Sequence, residues 1–185
     1  MLMLLNVIAF AGSLRAGSYN KLALKAAMEL KPDGMEIEDF DIAPIPIYNE
    51  DVREKGFPPV VEEFREKIRK ADALLIVTPE YNYSMPGVLK NAIDWASRPP
   101  GQPFNDKPAA IMGASGSLLG TARAQYHLRQ TCVFLNMHLI NKPEVMIAQA
   151  QNKFDVSGRL TDETTRKLIA DLLVNLATWT RRLKG

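Results

Sequence analysis

The architecture of this chain is most easily read from one segment, Asp72-Ala-Leu-Leu-Ile-Val-Thr78. Five apolar residues follow one another between the acid and the threonine, with no polar residue among them. A strand with one solvent-exposed face alternates apolar and polar residues, whereas a strand covered by helices on both faces is apolar throughout. The segment therefore predicts a central strand of a parallel sheet, buried on both faces.

Segments of strand length alternate with segments of helical period along the rest of the chain. The predicted strands are Leu2–Phe10, Glu36–Ile42, Ala73–Thr78, Pro108–Gly113 and part of Leu139–Ala148, and the predicted helices are Lys21–Leu30, Val60–Ala71, Pro86–Ala96, Ala122–Leu135 and a last helix with Thr161 as its N-cap. This alternation is typical of a parallel sheet, and five strands favour the order 2-1-3-4-5 over the Rossmann order. We therefore predict an α/β fold, a flavodoxin-like three-layer sandwich, in a single domain of residues 1–185.

The turn after the first predicted strand has the features of a phosphate-binding loop. It reads Gly12-Ser-Leu-Arg-Ala-Gly-Ser-Tyr-Asn20 and runs directly into a helix, whose N-terminal N–H groups and dipole attract anions. Ser13, Ser18 and Asn20 supply hydrogen-bond donors, and Arg15 supplies a planar fork that matches phosphate oxygens. The loop has neither Gly-Lys-Ser/Thr nor G-x-G-x-x-G, so it predicts a terminal monophosphate. The alternative is that Ser18 and Asn20 only cap the helix and Arg15 is solvated.

The loop after the third predicted strand is suited to hold a flat ring. It reads Thr78-Pro-Glu-Tyr-Asn-Tyr-Ser-Met-Pro-Gly87. In the predicted strand order it borders the same crevice as the phosphate loop, so a ligand held by its phosphate would lay its ring here. Tyr81 and Tyr83 are candidate walls for an isoalloxazine, and Asn82 is a candidate partner for its carbonyl groups. The alternative is that both tyrosines pack against the next helix or a second subunit.

Composition excludes several classes of function. The chain has 185 residues, with 23 Lys and Arg against 21 Asp and Glu, and these charges are interspersed, which predicts no nucleic-acid partner. No apolar stretch reaches the ~20 residues of a membrane span. A single cysteine, Cys132, forms no internal disulfide and predicts a cytoplasmic protein. Neither His127 nor His138 lies at the carboxyl end of a predicted strand beside a Ser or Cys nucleophile, and no metal-ligand spacing is found, so we predict no hydrolytic triad and no metal.

Two segments resemble the NAD(P)H-dependent FMN reductase family, which includes bacterial chromate reductases, quinone reductases and azoreductases. The first is the loop Gly12 to Asn20, and the second is Pro79-Glu-Tyr-Asn-Tyr-Ser-Met-Pro-Gly-Val-Leu-Lys-Asn-Ala-Ile-Asp-Trp95. Similarity continues through Ala124-Gln-Tyr-His-Leu-Arg-Gln130 and Asn141-Lys-Pro-Glu144, and so spans most of the chain.

The resemblance implies a cofactor, a site and an assembly. FMN would be held by Ser13, Arg15, Ser18, Tyr19 and Asn20 at its phosphate, by Pro79, Glu80, Tyr81, Asn82 and Tyr83 at its ring, and by Ser115 from the loop after the fourth strand. It also implies a homodimer or homotetramer with the flavin near the dimer interface.

The implied activity is an oxidoreductase that passes electrons from NADPH or NADH through FMN to a small acceptor, namely a quinone, chromate, an azo compound or a nitro compound. The flavin carries this chemistry, so we name no catalytic residue. The alternative is a flavodoxin-type electron carrier that does not turn over NAD(P)H. Such carriers are usually strongly acidic, and the sequence pI near 8.6 counts against it.

Overall fold

The computed structural model describes residues 4–185. The strands are β1 Leu5–Ala11, β2 Met35–Asp39, β3 Ala73–Val77, β4 Pro108–Ala114, β5 His138–Leu139 and β6 Val145–Ile147, and the helices are α1 Tyr19–Glu29, α2 Glu50–Arg53, α3 Pro59–Lys70, α4 Gly87–Ala96, α5 Ala122–Phe134 and α6 Glu163–Lys184. The sheet order is β2-β1-β3-β4-β5, with β6 also beside β4, and every pairing is parallel. The predicted flavodoxin-like architecture and strand order are confirmed.

The central strand is covered on both faces, as its composition predicts. All five residues of β3 are buried. Its Leu75 joins a core with α1 and α6, and its Leu74 joins a second core with α3, α4 and α5. Adjacent residues of a strand point to opposite faces, so each apolar residue contributes to one of the two helical layers.

The last predicted strand is two short strands, which corrects the expected count of five. His138 and Leu139 pair with the start of β4, and Val145 to Ile147 pair with its end. Between them the chain leaves the sheet at Asn141-Lys-Pro-Glu144. Pro143 has no N–H group to donate to a ladder, which explains the interruption.

Other boundaries differ from the prediction in smaller ways. The first predicted strand began at Leu2, which lies outside the described residues, and the strand of the structure begins at Leu5. The N-cap of α6 is Asp162, whose carboxylate accepts a 2.9 Å hydrogen bond from the Thr165 N–H. The predicted cap, Thr161, instead donates its hydroxyl to the Lys153 carbonyl.

Three loops meet at one edge of the sheet because β1, β3 and β4 are neighbours and end there. The Gly12 N–H donates to the Val77 carbonyl at 2.8 Å, which joins the first loop to the end of β3. A Cβ on Gly12 would lie 3.0 Å from Cγ of Pro86, so the loops after β1 and β3 are in direct contact. Gly113 is equally confined, since a Cβ there would overlap the Thr78 carbonyl and the Thr121 hydroxyl. Small residues thus let the three loops approach each other closely.

Candidate flavin site

The loop of residues 12–18, called here the anion loop, presents unpaired backbone donors. Within residues 4–185, the N–H groups of residues 13–17 have no hydrogen-bond partner. Ser13 is buried, and its hydroxyl also has no partner among these residues. A Cβ on Gly17 would meet nothing within 4 Å, so the loop is open on that side. Free N–H groups before a helix N-terminus are the arrangement that binds phosphate.

The side chains that follow the loop make distinct contacts. The Ser18 hydroxyl caps α1 by accepting from the N–H groups of Asn20 and Lys21, at 3.2 and 3.4 Å. Tyr19 stacks on Phe154, with ring centroids 5.8 Å apart. The exposed guanidinium of Arg15 lies 5.5 Å from the Tyr19 ring centroid. Arg15 is therefore the residue of the loop whose charge is free to meet an anion.

The Asn20 side chain links the anion loop to the fourth strand. Its amide group donates to the Ala114 carbonyl at 2.9 Å and accepts from the Ala114 N–H at 2.8 Å. Both ends of the amide are thus committed to the backbone at the end of β4. The residue fixes where α1 begins relative to the sheet.

The candidate ring-binding loop forms a tight two-residue turn, the Tyr81–Ser84 hairpin. Tyr81 and Ser84 exchange two backbone hydrogen bonds of 3.0 Å. Asn82 and Tyr83 between them have φ of 49° and 64°, as a type I′ turn requires. A bulky residue with positive φ is strained, and such strain is typical of functional sites. Tyr81 and Tyr83 are 51% and 64% exposed, so neither ring is packed into the core of this chain.

Helix α5 holds the hairpin through Glu80. The Glu80 carboxylate accepts from the N–H groups of Arg123 and Ala124, at 2.9 and 3.1 Å, and so caps the N-terminus of α5. It also pairs with the Arg123 guanidinium, which lies over the Tyr83 ring at 3.8 Å from its centroid. Pro79 before it is buried and accepts from the Thr78 hydroxyl. Glu80 is therefore an anchor for the hairpin.

The loop after β4 completes this edge of the sheet. The Ser115 hydroxyl donates to the Gly120 carbonyl at 2.7 Å and lies 2.8 Å from the Ser117 hydroxyl. These bonds hold the loop in a closed turn. Ser115 is half-buried, next to Ala114 and hence to the Asn20 contact. The sequence-predicted residues are therefore distributed over three loops that lie side by side.

Sequence reasoning missed two contacts at this edge. One is the Glu80–Arg123 pair, and the other is a 3.0 Å hydrogen bond between Nδ1 of His127 and the Ser84 hydroxyl. Both join residues that are 43 positions apart. No local pattern signals a pairing at that distance, although positions 123 and 127 are one helical turn apart and so share a face of α5.

Two groups outside the three loops have shifted pKa values. Partial burial, followed by the nearby Asp41, raises the pKa of Asp39 at the carboxyl end of β2, and Lys21 opposes the shift. Burial raises the pKa of the Cys132 thiol to about 12. A thiol with so high a pKa is inert, because the thiolate is the reactive form.

A groove of about 730 Å³ lies elsewhere, beside the first half of β1, β2 and α3. It contains paired charges, including Lys67 with Glu38 and Lys70 with Glu66.

Within residues 4–185 no helix is long and apolar enough to cross a membrane, and no three His, Cys, Asp or Glu residues gather into a metal site.

A doubly wound sheet with an anion loop at its switch point and an aromatic hairpin beside it defines a nucleotide-type cofactor-binding domain. The donor set fits FMN, because the free N–H groups, the unpartnered Ser13 hydroxyl and Arg15 suit a phosphate and the exposed tyrosines suit a flat ring.

The chain belongs to the NADPH-dependent FMN reductase family, whose model matches residues 5–152. It is 65% identical to an NAD(P)H-dependent FMN reductase of Pseudomonas aeruginosa, over 98% of each chain. It is 46% identical to a quinone reductase of Escherichia coli, over 97% of each. Among solved structures it is similar to FerB, a flavoenzyme NAD(P)H:(acceptor) oxidoreductase from Paracoccus denitrificans, with a TM-score of 0.87, 34% identity, and coverage of 96% of this chain and 98% of that one.

These comparisons confirm the predicted family, the FMN and NAD(P)H cofactors, and an oxidoreductase as the class of enzyme. They do not favour the electron carrier that sequence analysis kept as the alternative.

Proposed function

We propose that this protein reduces quinones with NAD(P)H, using one FMN bound across the anion loop and the Tyr81–Ser84 hairpin. The row of unpaired N–H groups at residues 13–17, beside an exposed aromatic hairpin, is the observation that carries the proposal. FMN held there would supply the chemistry of hydride transfer from the dinucleotide and of two-electron transfer to an acceptor. Chromate, azo compounds and nitro compounds are further acceptors, because reduced flavin is open to all of them. Residues 1–185 act as the single flavodoxin-like domain that binds this FMN.

The phosphate end of the cofactor is bound by loop backbone and by charge. The N–H groups of the anion loop and the Ser13 hydroxyl donate to phosphate oxygens, and Arg15 adds a charge-assisted pair. Ser18 and Asn20 contribute by holding the start of α1, through the cap and the Ala114 contact. The Tyr19 ring lies under the Arg15 guanidinium and helps to hold it in place.

The ring end is bound by the hairpin and its supports. Tyr81, Asn82 and Tyr83 meet the ring, because they are exposed and held rigidly by the type I′ turn. Pro79 and Glu80 fix the turn in place, the second through the N-terminus of α5. Ser115 borders the ring from the loop after β4.

The active form is a homodimer or homotetramer. Large exposed apolar side chains are typical of surfaces that another subunit covers. The β4–α5 loop and α5 carry several of them: Leu118, Leu119, Tyr126, Val133 and Phe134. The two tyrosines of the hairpin extend this set, which supports a flavin site near the interface between subunits. A single buried cysteine and the absence of any disulfide among the described residues are compatible with the cytoplasm as its location.

The test is reconstitution of the purified protein with FMN. We expect the protein to retain one FMN per chain on gel filtration, to lose its yellow colour on addition of NADPH, and to turn over benzoquinone with many equivalents of NADPH. Protein that binds no FMN would contradict the proposed site. Protein that binds FMN but is not reduced by NADPH or NADH would instead support the electron carrier.

A further inference from the structure

The Ser84–His127 contact places one titratable group beside the hairpin. Nδ1 of His127 lies 3.0 Å from the Ser84 hydroxyl, and Ser84 closes the hairpin through its two backbone bonds with Tyr81. His127 is exposed, and its Nε2 has no hydrogen-bond partner within residues 4–185. Nδ1 is thus fixed to the hairpin, and Nε2 is left without a partner among the described residues.

The contact belongs to a set that joins α5 to the hairpin. Glu80 caps the helix, Arg123 covers the Tyr83 ring, and His127 one turn later binds Ser84. Three successive points of attachment hold the imidazole at a defined place relative to the hairpin. The charged and titratable groups at this junction are Arg123 on α5 and Glu80, Tyr81 and Tyr83 on the hairpin side.

Quinone reduction consumes a proton as well as a hydride. NAD(P)H loses a hydride, the quinone gains this hydride and one proton, and the products are NAD(P)⁺ and the hydroquinone. Histidine is the side chain best suited to exchange protons near neutral pH. In the protonated imidazole both nitrogens donate, so that Nδ1–H donates to the Ser84 oxygen and Nε2–H is left for an acceptor.

We propose that His127 supplies the proton taken up by the quinone, with Ser84 as the positioning residue that holds the imidazole with Nε2 outward. The inference rests on the proposed function, because it requires the acceptor to bind next to the hairpin. After the transfer, His127 retains the proton on Nδ1 and regains one on Nε2 from solvent.

The decisive comparison uses two acceptors with one variant. Quinone reduction needs a proton, whereas ferricyanide takes a single electron and binds none. We expect His127→Gln to lower the rate of quinone reduction by about tenfold or more, since general acids contribute on the order of 10²-fold or more. Its reduction by NADPH and its rate with ferricyanide should match those of the unmodified protein, and the dependence of the quinone rate on pH should differ from that of the unmodified protein.

The control is His138→Gln. His138 is the only other histidine of the chain and pairs with Asp106 at the opposite end of the sheet. This variant should leave both acceptor rates unchanged. Equal rates for quinone in His127→Gln and the unmodified protein, or an equal loss with both acceptors, would overturn the role of His127.

A measurement without cofactor tests the positioning role. Nitrogen NMR of the apoprotein, with its two histidines assigned from the two variants, should find the neutral His127 ring carrying its proton on Nδ1. Ser84→Ala should shift that population towards Nε2. An unchanged tautomer in Ser84→Ala would overturn the role of Ser84. Failure of the unmodified protein to bind FMN or to reduce quinone would instead refute the proposed function.

Discussion

Arg15 differs from the other candidate phosphate ligands in that its side chain is charged and makes no ion pair or hydrogen bond within residues 4–185. Its guanidinium is exposed above Tyr19, whereas Ser18 and Asn20 already serve the start of α1. A charge-assisted contact contributes about 1.5–3 kcal/mol. We therefore expect Arg15→Ala to weaken FMN binding by roughly 10- to 100-fold, as measured by the quenching of flavin fluorescence on titration with apoprotein.

Arg182→Ala is the matched control for this variant. It removes the same charged group from the last turn of α6, where Arg182 lies 5.7 Å from the Trp179 ring. Its dissociation constant for FMN should equal that of the unmodified protein. A similar loss in both variants would mean that net charge, and not a contact in the anion loop, governs FMN affinity.

Asp162 makes the stability of the last helix dependent on pH. Hydrogen bonds from Thr165, with a smaller contribution from Lys153, hold the pKa of its carboxyl below the usual 3.8. A carboxyl with a lowered pKa stabilises the folded state above its unfolded pKa and loses this effect as the pH falls through its folded pKa. We expect Asp162→Ala to reduce the free energy of unfolding by about 1 kcal/mol at neutral pH, and by progressively less below pH 3.8.

Urea unfolding over this pH range checks the expectation, with Thr161→Ala as the comparison. Thr161 bonds only to the Lys153 carbonyl, and its replacement should cost less and show no dependence on pH. If the two variants were equally unstable, the cap of α6 would not be Asp162 alone. Sequence analysis placed the cap at Thr161, and the contacts of the Asp162 carboxylate with Lys153 and Thr165 move it by one residue.

At the scale of elements, the Glu80 carboxylate links the hairpin to the N-terminus of α5. Removing this carboxylate leaves the N–H groups of Arg123 and Ala124 without their acceptor and frees the hairpin. We expect Glu80→Ala to lower the free energy of unfolding by about 1–2 kcal/mol and to weaken FMN binding as well. Glu80→Gln keeps an oxygen acceptor, so it should lose less of both.

Thermal unfolding of the apoprotein and FMN titration separate the two effects. Loss of stability with unchanged FMN affinity in Glu80→Ala would mean that the ring does not depend on the position of the hairpin. That result would remove the hairpin from the proposed site, while leaving the anion loop in place.

The elements differ in how far the sequence alone predicts them. β3 was predictable because a strand buried on both faces has no polar residue to interrupt the pattern. The separation of β5 from β6 was not, since the apolar residues on either side of Pro143 resemble one continuous strand. The type I′ turn also escaped prediction, because Asn82-Tyr83 lacks the glycine that usually signals it.

For the whole molecule, the strand order predicted where the candidate site lies, but it did not predict which hydrogen bonds the residues of the site make. Carboxyl ends of neighbouring parallel strands must share an edge, so the loops after β1, β3 and β4 were expected together. The partners of Asn20 and Glu80 lie 94 and 43 residues away, and their pairing depends on the completed fold. Long-range polar contacts of this kind have no signature in a single sequence.

The assembly of the whole molecule is testable through the exposed end of α5. Val133 and Phe134 are 78% and 83% exposed, an arrangement that costs solvation free energy unless a second subunit covers it. We expect Val133→Lys combined with Phe134→Lys to shift the protein to a smaller species in light scattering at equal concentration. Val156→Lys is the control, because Val156 is fully exposed but follows Phe154, which packs on the α1 and α6 side of the sheet. If both proteins kept the mass of the unmodified one, α5 would not form the interface, and a monomeric mass for the unmodified protein would refute the proposed oligomer itself.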